Sequence, residues 1–441
     1  MSDSPQTRYG AVQRSTWLLS SIAGLVLFIL CLKISSLWAG EMPDADDLLR
    51  LQQVRDLING QNWYNVDQTR FLTPEGGALH WSRIPDLFLV TLITLATPVL
   101  GQEHAEYLAI LIWPLALLAV SFAVFIISLR RLGIGILGQA LGLIFLATSS
   151  VIYNFWPGRI DHHNVVSLAI LTGFCALISP RMTPRAGLIA GIAICLALTI
   201  AVESLPYATT LIGLFGLFWV VRGHQEAGRI TALGIGLIVA STVFMVFDAP
   251  GWGPKRHICD AFSYAHWTGL LVGGSGLVLL GVFAGAAQNV TTRLGLGTLV
   301  GVLSLACLAW VNPACLGDPY ADVSELVRSG WLSKVGEART LSVLWSDDPA
   351  RTILQFGFTV ASLIATLLML VFAPTDQRLN RIGLATLMLL ATLATIWQIR
   401  GVTFSHLFGV MAAAWLVSVG FTYWQQNSGV PALLVLSLIH I

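Results

Sequence analysis

Charged residues are scarce in this sequence. They make up 11% of the 441 residues, whereas an ordinary soluble domain carries about 25%, so the composition excludes a globular cytosolic protein. The 24 basic and 23 acidic side chains leave a formal net charge of +1, which gives no reason to expect a nucleic-acid partner. The six cysteines form no CxxC or Cys/His pattern, so no zinc site is predicted. Cys259 and Cys315 fall in polar loops and could pair if those loops face an oxidising compartment.

Apolar residues, in contrast, make up 56% of the chain and occur in long runs. Such runs predict helices that cross a lipid bilayer, so we expect an all-α, polytopic membrane protein. Arg8 and Arg14 precede the first run, Trp17–Leu37. Because basic loop residues stay on the cytoplasmic side, the amino terminus is predicted to be cytoplasmic and the loop after Leu37 to lie outside.

One apolar run is predicted to lie in the outer membrane interface instead of crossing. If this run, Ile84–Leu100, and the two runs that follow it all crossed, Arg130 and Arg131 would lie outside, against the charge rule. With Ile84–Leu100 as an interfacial helix, every short cytoplasmic loop becomes basic: Arg130/Arg131, Arg181/Arg185, Arg222/Arg229, Arg293 and Arg378/Arg381.

Twelve complete spans are predicted. They begin near Trp17, Tyr107, Leu132, Val165, Ala186, Pro206, Ile230, Trp267, Leu294, Ile353, Ile382 and Val402. A thirteenth begins at Pro431, but the chain ends at Ile441 and a span needs about 20 residues, so we expect this last span to be truncated. Residues 1–441 then form one membrane domain with long outer loops, among them 38–107 and 312–352.

Three carboxylates crowd the start of the first outer loop, at Asp44, Asp46 and Asp47. Crowded carboxylates repel one another unless a cation or a basic group lies among them, so a metal site is one interpretation. The other is a helix start, in which Asp44 caps the helix and the acids face its positive dipole end.

A second polar cluster occupies the tight outer loop between spans three and four, which contains Arg159, Asp161, His162 and His163. Asp161 and His163 are two residues apart and would point to one side of an extended segment. A carboxylate oxygen with an imidazole nitrogen suits Mn²⁺ better than Mg²⁺ alone, and polar residues this close to hydrocarbon are usually functional. A hydrogen-bonded turn is the structural alternative.

Further polar residues lie on the predicted outer side. Glu337 is in a long loop, where it is either a ligand or a solvated acid, and Asp347 or Asp348 could take its place. Arg400 stands at an outer helix end against the charge rule, so it is expected to grip a phosphate bidentately or to reach the lipid headgroups. Glu203 is either a proton or ligand site or the polar tip of an outer turn.

These sites, in this order and on one side, resemble the catalytic subunit of oligosaccharyltransferases, which belongs to the GT-C class of membrane glycosyltransferases. The similarity covers about Trp17 to Gly420. It rests on Asp44-Ala45-Asp46-Asp47-Leu48-Leu49-Arg50, Gly60-Gln61-Asn62-Trp63-Tyr64-Asn65-Val66-Asp67, Pro74-Glu75-Gly76-Gly77, His80-Trp81, Asp161-x-His163 and Lys334-Val335-Gly336-Glu337. Lys334 departs from the Thr or Ser of the family, and the family's WWDYG motif, which lies in an external domain, is absent from this sequence.

The resemblance implies thirteen spans, a non-spanning apolar helix in the first outer loop, and a divalent metal, Mn or Mg. The metal would be held by Asp44, Asp161, His163 and Glu337, of which Asp44, Asp161 and Glu337 would be catalytic, and Arg400 would bind the donor phosphate. Asp46 or Asp47 could substitute as a ligand or orient the acceptor. The secondary candidates are His80, Trp81, His162, Arg159, Asp347 and Asp348.

The predicted function is transfer of a sugar or oligosaccharide from a polyprenyl (pyro)phosphate donor to a protein, lipid or glycan acceptor. The reaction would take place on the outer face of the inner (plasma) membrane, among membrane lipids. Long polar outer loops favour chemistry at the membrane surface, whereas transporters keep their site at the midplane, with broken helices and repeats. The alternative is a secondary transporter of a lipid or anionic solute, with Arg400 and Glu203 as its site.

Overall fold

A computed structural model describes residues 5–38, 40–70, 77–79, 81–248, 259–317, 325–330 and 335–426. The helices in this part of the chain are α1 (Pro5–Trp38), α2 (Ala45–Ile58), α3 (Ile84–Leu100), α4 (Gln102–Arg131), α5 (Ile136–Thr148), α6 (His163–Leu177), α7 (Pro184–Ile200), α8 (Leu205–Arg222), α9 (Ala227–Phe247), α10 (Tyr264–Val282), α11 (Val290–Val311), α12 (Glu325–Gly330), α13 (Leu341–Asp347), α14 (Pro349–Val371), α15 (Arg378–Trp397) and α16 (Val402–Gln426). A short antiparallel pair, β1 (Asp67–Gln68) and β2 (Gly77–Ala78), lies in the first long loop.

The predicted all-α, polytopic fold class is confirmed. Among the described residues, eight helical segments are long and apolar enough to cross a membrane, and four apolar helices, α3, α5, α6 and α7, are shorter. Each of the twelve predicted spans corresponds to a helix, while the predicted thirteenth, from Pro431, lies outside the described residues. The run Ile84–Leu100 forms a helix with these bounds, and its place in the membrane interface stays a prediction.

The third predicted span, Leu132–Phe155, is interrupted. Its α-helix, α5, ends at Thr148, and Ser150–Phe155 continues as a 3-10 helix. Ser149 between them is extended, with φ −83° and ψ 168°, and its hydroxyl donates to the carbonyl of Leu146 at 2.9 Å. A serine side chain that bonds to the backbone in this way competes with the helical hydrogen-bond pattern.

Most of the predicted cytoplasmic arginines gather at one end of the bundle, called here the basic end. Arg131 of α4 donates to the carbonyl of Cys175, and Arg229 of α9 donates to that of Leu177 at 2.7 Å. Both acceptors lie in the last turn of α6, where exposed carbonyls and the helix dipole favour a cation. The connections at the opposite end, the site end, carry the candidate site residues.

A separate apolar cluster fixes the first long loop at the site end. Its buried members come from the end of α1, from α2, α3 and α4, and from the loop after α5: Leu37, Leu51, Val54, Leu89, Ile93, Ala105, Ala109, Ile110, Trp113 and Ile160. Ile160 directly precedes Asp161 in the chain. Burial of this cluster therefore holds the start of α2 and the Asp161 loop against each other.

Helices α7, α9 and α10 meet at backbone contact through glycines. A Cβ on Gly187 of α7 would lie 2.0 Å from the carbonyl oxygen of Arg229, and one on Gly234 of α9 would lie 2.4 Å from that of Gly274 in α10. Small residues are what allows membrane helices to approach this closely.

We expect Gly187→Ala to lower the stability of the protein by about 1–3 kcal/mol, because the added methyl group overpacks the α7–α9 contact. The matched control is Gly216→Ala in α8, where a Cβ would meet no atom within 4 Å. The measurement is the thermal unfolding midpoint of both variants in detergent. Equal midpoints for the two variants would contradict the packing described here.

Candidate active site

Five connections at the site end supply the polar residues. They are the start of α2 (Asp44, Asp46, Asp47), the loop before α6 (Arg159, Asp161, His162, His163), the turn between α7 and α8 (Glu203), the loop before α13 (Glu337) and the turn between α15 and α16 (Arg400).

The carboxylates at the start of α2 anchor the Asp161 loop. Asp44 caps α2 by accepting from the backbone N–H of Asp46 at 3.5 Å, and it also pairs with Arg159 at 2.9 Å. Asp47 is buried and accepts from the backbone N–H groups of Ile160 and Asp161, both at 2.8 Å. A third donor to Asp47 is Arg159 Nη1 at 3.0 Å. Asp47 therefore sets the backbone position of Asp161.

Gly158 allows the same loop to approach α1. Its φ of 90° is a conformation that residues with a Cβ rarely adopt. A Cβ there would also lie 3.0 Å from Pro43 and 3.1 Å from Leu37. The Gly158 N–H donates to the carbonyl of Ile110 in α4 at 3.0 Å, so the loop is tied to two helices.

Asp161 lies at the centre of the site and is 1% exposed. Two histidine nitrogens lie closest to its carboxylate oxygens, His162 Nδ1 at 2.7 Å and His163 Nε2 at 3.3 Å. Two guanidinium nitrogens lie farther away, Arg50 Nε at 3.9 Å and Arg159 Nη2 at 4.0 Å. Burial alone would raise the pKa of Asp161, but the neighbouring His162 and His163 outweigh burial and hold this pKa well below its usual range. Asp161 is therefore ionised.

His163 joins this carboxylate to three more groups. Its Nε2 lies 3.8 Å from Glu337, and its Nδ1 lies 3.1 Å from Glu203. The second oxygen of Glu203 accepts from Arg400 Nη1 at 2.6 Å, and Arg400 Nη2 is 3.6 Å from Glu337. His163 and Arg400 therefore both lie next to the same two carboxylates, those of Glu203 and Glu337.

Asp46 and Asp47, the two acids in the first turn of α2, differ in their surroundings. Partial burial and the negative charges of Asp161, Asp44 and Glu337 raise the pKa of Asp46. Burial also raises the pKa of Asp47, to about 6, against the opposing charge of Arg159, and its carboxylate already accepts from Arg159 and two backbone N–H groups. Asp46 faces the cluster as a carboxyl group with increased proton affinity, which suits it to accept a proton there.

The structure brings together three of the four predicted metal ligands, Asp161, His163 and Glu337. The fourth, Asp44, reaches Asp161 through Arg159, whose guanidinium contacts both carboxylates. His162, a secondary candidate from the sequence, has a ring nitrogen 2.7 Å from Asp161.

The secondary candidates are distributed differently. The Trp81 ring lies 4.9 Å from the Arg50 guanidinium and 6.3 Å from the His162 ring, whereas His80 lies outside the described residues. Asp347 pairs with Arg339 at 3.1 Å, and Asp348 caps α14, so both have local structural roles.

The sequence indicates two residues of the cluster only weakly. Glu203 is predicted either as a proton or ligand site or as the polar tip of an outer turn, although a carboxylate between two apolar runs is costly enough to indicate a function. Arg50 belongs to the motif that begins at Asp44. Its buried position beside Asp161 depends on the fold of the first loop, and a single sequence gives no signal for it.

The donor set fits a divalent cation. One ligand atom each from Asp161, His162 and His163 lies within 4.8 Å of the other two, and Glu337 is adjacent to His163. Carboxylate and imidazole donors suit Mn²⁺ and similar transition-metal ions. Asp161 Oδ2 is buried and has no hydrogen-bond partner in the described part of the chain, and a cation would satisfy such an acceptor.

No protein-family model and no curated protein matches this chain. Among solved structures, the archaeal oligosaccharyltransferase AglB from Archaeoglobus fulgidus, in complex with an inhibitory peptide and a dolichol-phosphate, matches 97% of it with a TM-score of 0.64 and 12% identity. The Archaeoglobus fulgidus oligosaccharyltransferase tethered with an acceptor peptide containing the NVT sequon gives 0.63 and 12% over 96%. Its complex with Zn and sulfate gives 0.58 and 14% over 95%.

This chain has the membrane fold of an oligosaccharyltransferase. The resemblance inferred from the motifs is thereby confirmed at the level of the fold, which is the GT-C fold expected from the sequence. The chain covers 54%, 53% and 51% of the three matched chains, so it spans about half the length of the oligosaccharyltransferase it matches.

We expect the purified protein to bind Mn²⁺ and Asp161→Asn to lose at least about tenfold in affinity, because the variant removes the negative charge shared by both histidines. Asp348→Asn is the control, since Asp348 caps α14 through its side chain and should leave the affinity unchanged. Electron paramagnetic resonance of free Mn²⁺ gives the affinity, and the unfolding midpoint reports folding. Equal affinities of Asp161→Asn and the unmodified protein would remove Asp161 from the metal site.

Proposed function

We propose that the protein is a metal-dependent membrane glycosyltransferase that moves a sugar or oligosaccharide from a polyprenyl (pyro)phosphate to an acceptor. The observation that carries this proposal is the convergence of Asp161, His163, Glu337 and Arg400 at one end of the bundle. They come from three separate connections, and no local structural need requires them to meet. The acids and the imidazole can bind a cation, and the adjacent arginine can bind a phosphate. A glycosyltransferase of this kind needs both parts.

Different residues of the site serve different steps of the proposed reaction. An acceptor nucleophile attacks the anomeric carbon of the sugar and gives up its proton, for which Asp46 is the available base. The bond between that carbon and the phosphate oxygen breaks, and the bonding electrons leave with the phosphate. Arg400 binds this leaving group, where negative charge develops. A divalent cation on Asp161, His162, His163 and Glu337, when bound, supplies Lewis-acid stabilisation of the same charge.

The substrates are proposed by analogy with AglB. A dolichol-phosphate bound to that protein supports a lipid-linked donor, and an acceptor peptide with an NVT sequon supports a peptide acceptor. Since the chain spans about half of the AglB length, lipid and glycan acceptors remain part of the proposal. The complex of the Archaeoglobus fulgidus oligosaccharyltransferase with Zn and sulfate supports a divalent cation and an anion as ligands, which here would be Mn²⁺ or Mg²⁺ and the donor phosphate.

The proposed face is the outer side of the inner membrane. A disulfide joins Cys259, just before α10, to Cys315, just after α11, both at the site end. Disulfides persist in oxidising compartments and are rare in the cytosol, which supports an extracytoplasmic site. The arginines at the basic end support a cytoplasmic position for that end.

We expect Arg400→Ala to slow the release of glycan from a polyprenyl diphosphate donor by about 100-fold or more, because an electrostatic contact to the leaving group is lost. Arg351→Ala is the control, since Arg351 is an exposed arginine at the start of α14. Purified protein is incubated with Mn²⁺, lipid-linked glycan and an NVT peptide, and the lipid is analysed by mass spectrometry. Uptake of intact donor into vesicles without any release would favour the carrier function instead.

Cysteine labelling tests the orientation. In a variant with exposed Cys31 replaced by Ser, Glu41→Cys at the site end should react with an impermeant maleimide added to intact cells. Thr375→Cys, exposed between α14 and α15 at the basic end, should react only after lysis. The reverse pattern would contradict the outer location of the site.

A further inference from the structure

The geometry points to Glu203 as a positioning residue that fixes His163 and Arg400 relative to each other, so that the metal-binding and phosphate-binding halves of the site form one unit. This inference rests on the proposed function. It concerns a residue that acts through one side chain of the proposed metal site, His163, and one of the proposed phosphate site, Arg400.

The turn that carries Glu203 is short and partly buried between two helices. Helix α7 ends at Ile200, Ala201 is extended, and Val202–Ser204 form a single 3-10 turn before α8. Ser204 is fully buried, and its N–H donates to the carbonyl of Ala201 at 3.0 Å. The carboxylate thus projects from a short turn between two packed helices.

A ring stack aligns this turn with the one that carries Arg400. Tyr207 lies four residues after Glu203 and Phe404 lies four residues after Arg400, and their rings stack at 4.1 Å. Tyr207 lies in the first turn of α8 and Phe404 in the first turn of α16. The stack therefore holds the starts of these two helices together, next to the turns from which Glu203 and Arg400 meet at 2.6 Å.

The two oxygens of Glu203 serve different partners. Oε1 lies 3.1 Å from His163 Nδ1, and Oε2 accepts from Arg400. Because an ionised carboxylate can only accept, the Nδ1 atom carries a proton. The other ring nitrogen, Nε2, faces Asp161 at 3.3 Å and Glu337 at 3.8 Å, which is the direction in which a cation would lie. When a carboxylate accepts from the ring N–H that does not bind the metal, it fixes the orientation of the histidine ring and makes the other nitrogen a stronger ligand.

The contact between Glu203 and Arg400 orients the phosphate-binding half of the site in a similar way. A guanidinium is planar and binds phosphate through two parallel N–H groups. With Nη1 held by Glu203, the orientation of that plane is set, and Nη2 is turned toward Glu337 at 3.6 Å. Both halves of the site therefore take their orientation from one carboxylate.

The test measures Mn²⁺ affinity in a double-mutant cycle on the full chain. Glu203→Gln should weaken Mn²⁺ binding by about 10–100-fold, the usual effect of removing such a partner. In a His163→Ala background the same change should weaken binding clearly less, because only the longer approach of Glu203 to His162, at 3.9 Å, then remains next to a proposed metal ligand. The matched control is Glu106→Gln, a buried carboxylate paired with Arg55 away from the site, which should leave Mn²⁺ affinity unchanged.

The outcomes separate this inference from the proposed function. An equal loss of affinity in both backgrounds would mean that Glu203 acts on the general structure of the site and would overturn the inference. Unchanged affinity in Glu203→Gln would overturn it as well, while Mn²⁺ binding by the unmodified protein would leave the metal-dependent function standing. If the unmodified protein itself bound no Mn²⁺, both would fail. The unfolding midpoint of each variant, measured alongside, shows whether a loss of binding is a loss of folding.

Discussion

Buried carboxylates need positive partners, and the site end of this bundle is organised by that requirement. Asp47 and Asp161 are both nearly inaccessible to water, and Arg159 reaches each of them as well as Asp44. Removing one member of such a buried network leaves an uncompensated charge, which costs about 3–5 kcal/mol. The arginine therefore keeps the start of α2 and the Asp161 loop together before any metal or substrate binds.

A second arginine extends this network into the first long loop. Arg50 donates to Asp86 at 2.7 Å and lies 3.9 Å from Asp161. Asp86 also accepts from Arg83 at 3.2 Å and belongs to the first turn of α3, where an acid suits the helix dipole. Helix α3 is thus electrostatically joined to the centre of the site, so the long loop between α1 and α4 is part of the architecture of the site.

The sequence alone predicted much of this arrangement and missed a defined part of it. Hydropathy and charge located twelve spans and the bounds of α3, because both signals are local and repeat along the chain. The Asp-x-His loop and Arg400 stood out because charge near hydrocarbon is costly. The interruption at Ser149 and the pairing of Glu203 with His163 and Arg400 could not be predicted, since they depend on how distant segments pack.

The length of α6 bears on the membrane-held donor that is proposed above. Arg131 in α4 and Arg229 in α9 both contact the last turn of α6, so one end of each of these three helices lies at the basic end. Helix α6 has 15 residues and α9 has 21, which correspond to about 22 Å and about 32 Å. His163 is the first residue of α6, and α6 is shorter than the hydrocarbon layer of about 30 Å. A short helix that begins with a site residue agrees with the proposed polyprenyl-linked donor, whose phosphate is held near the membrane surface by its own lipid.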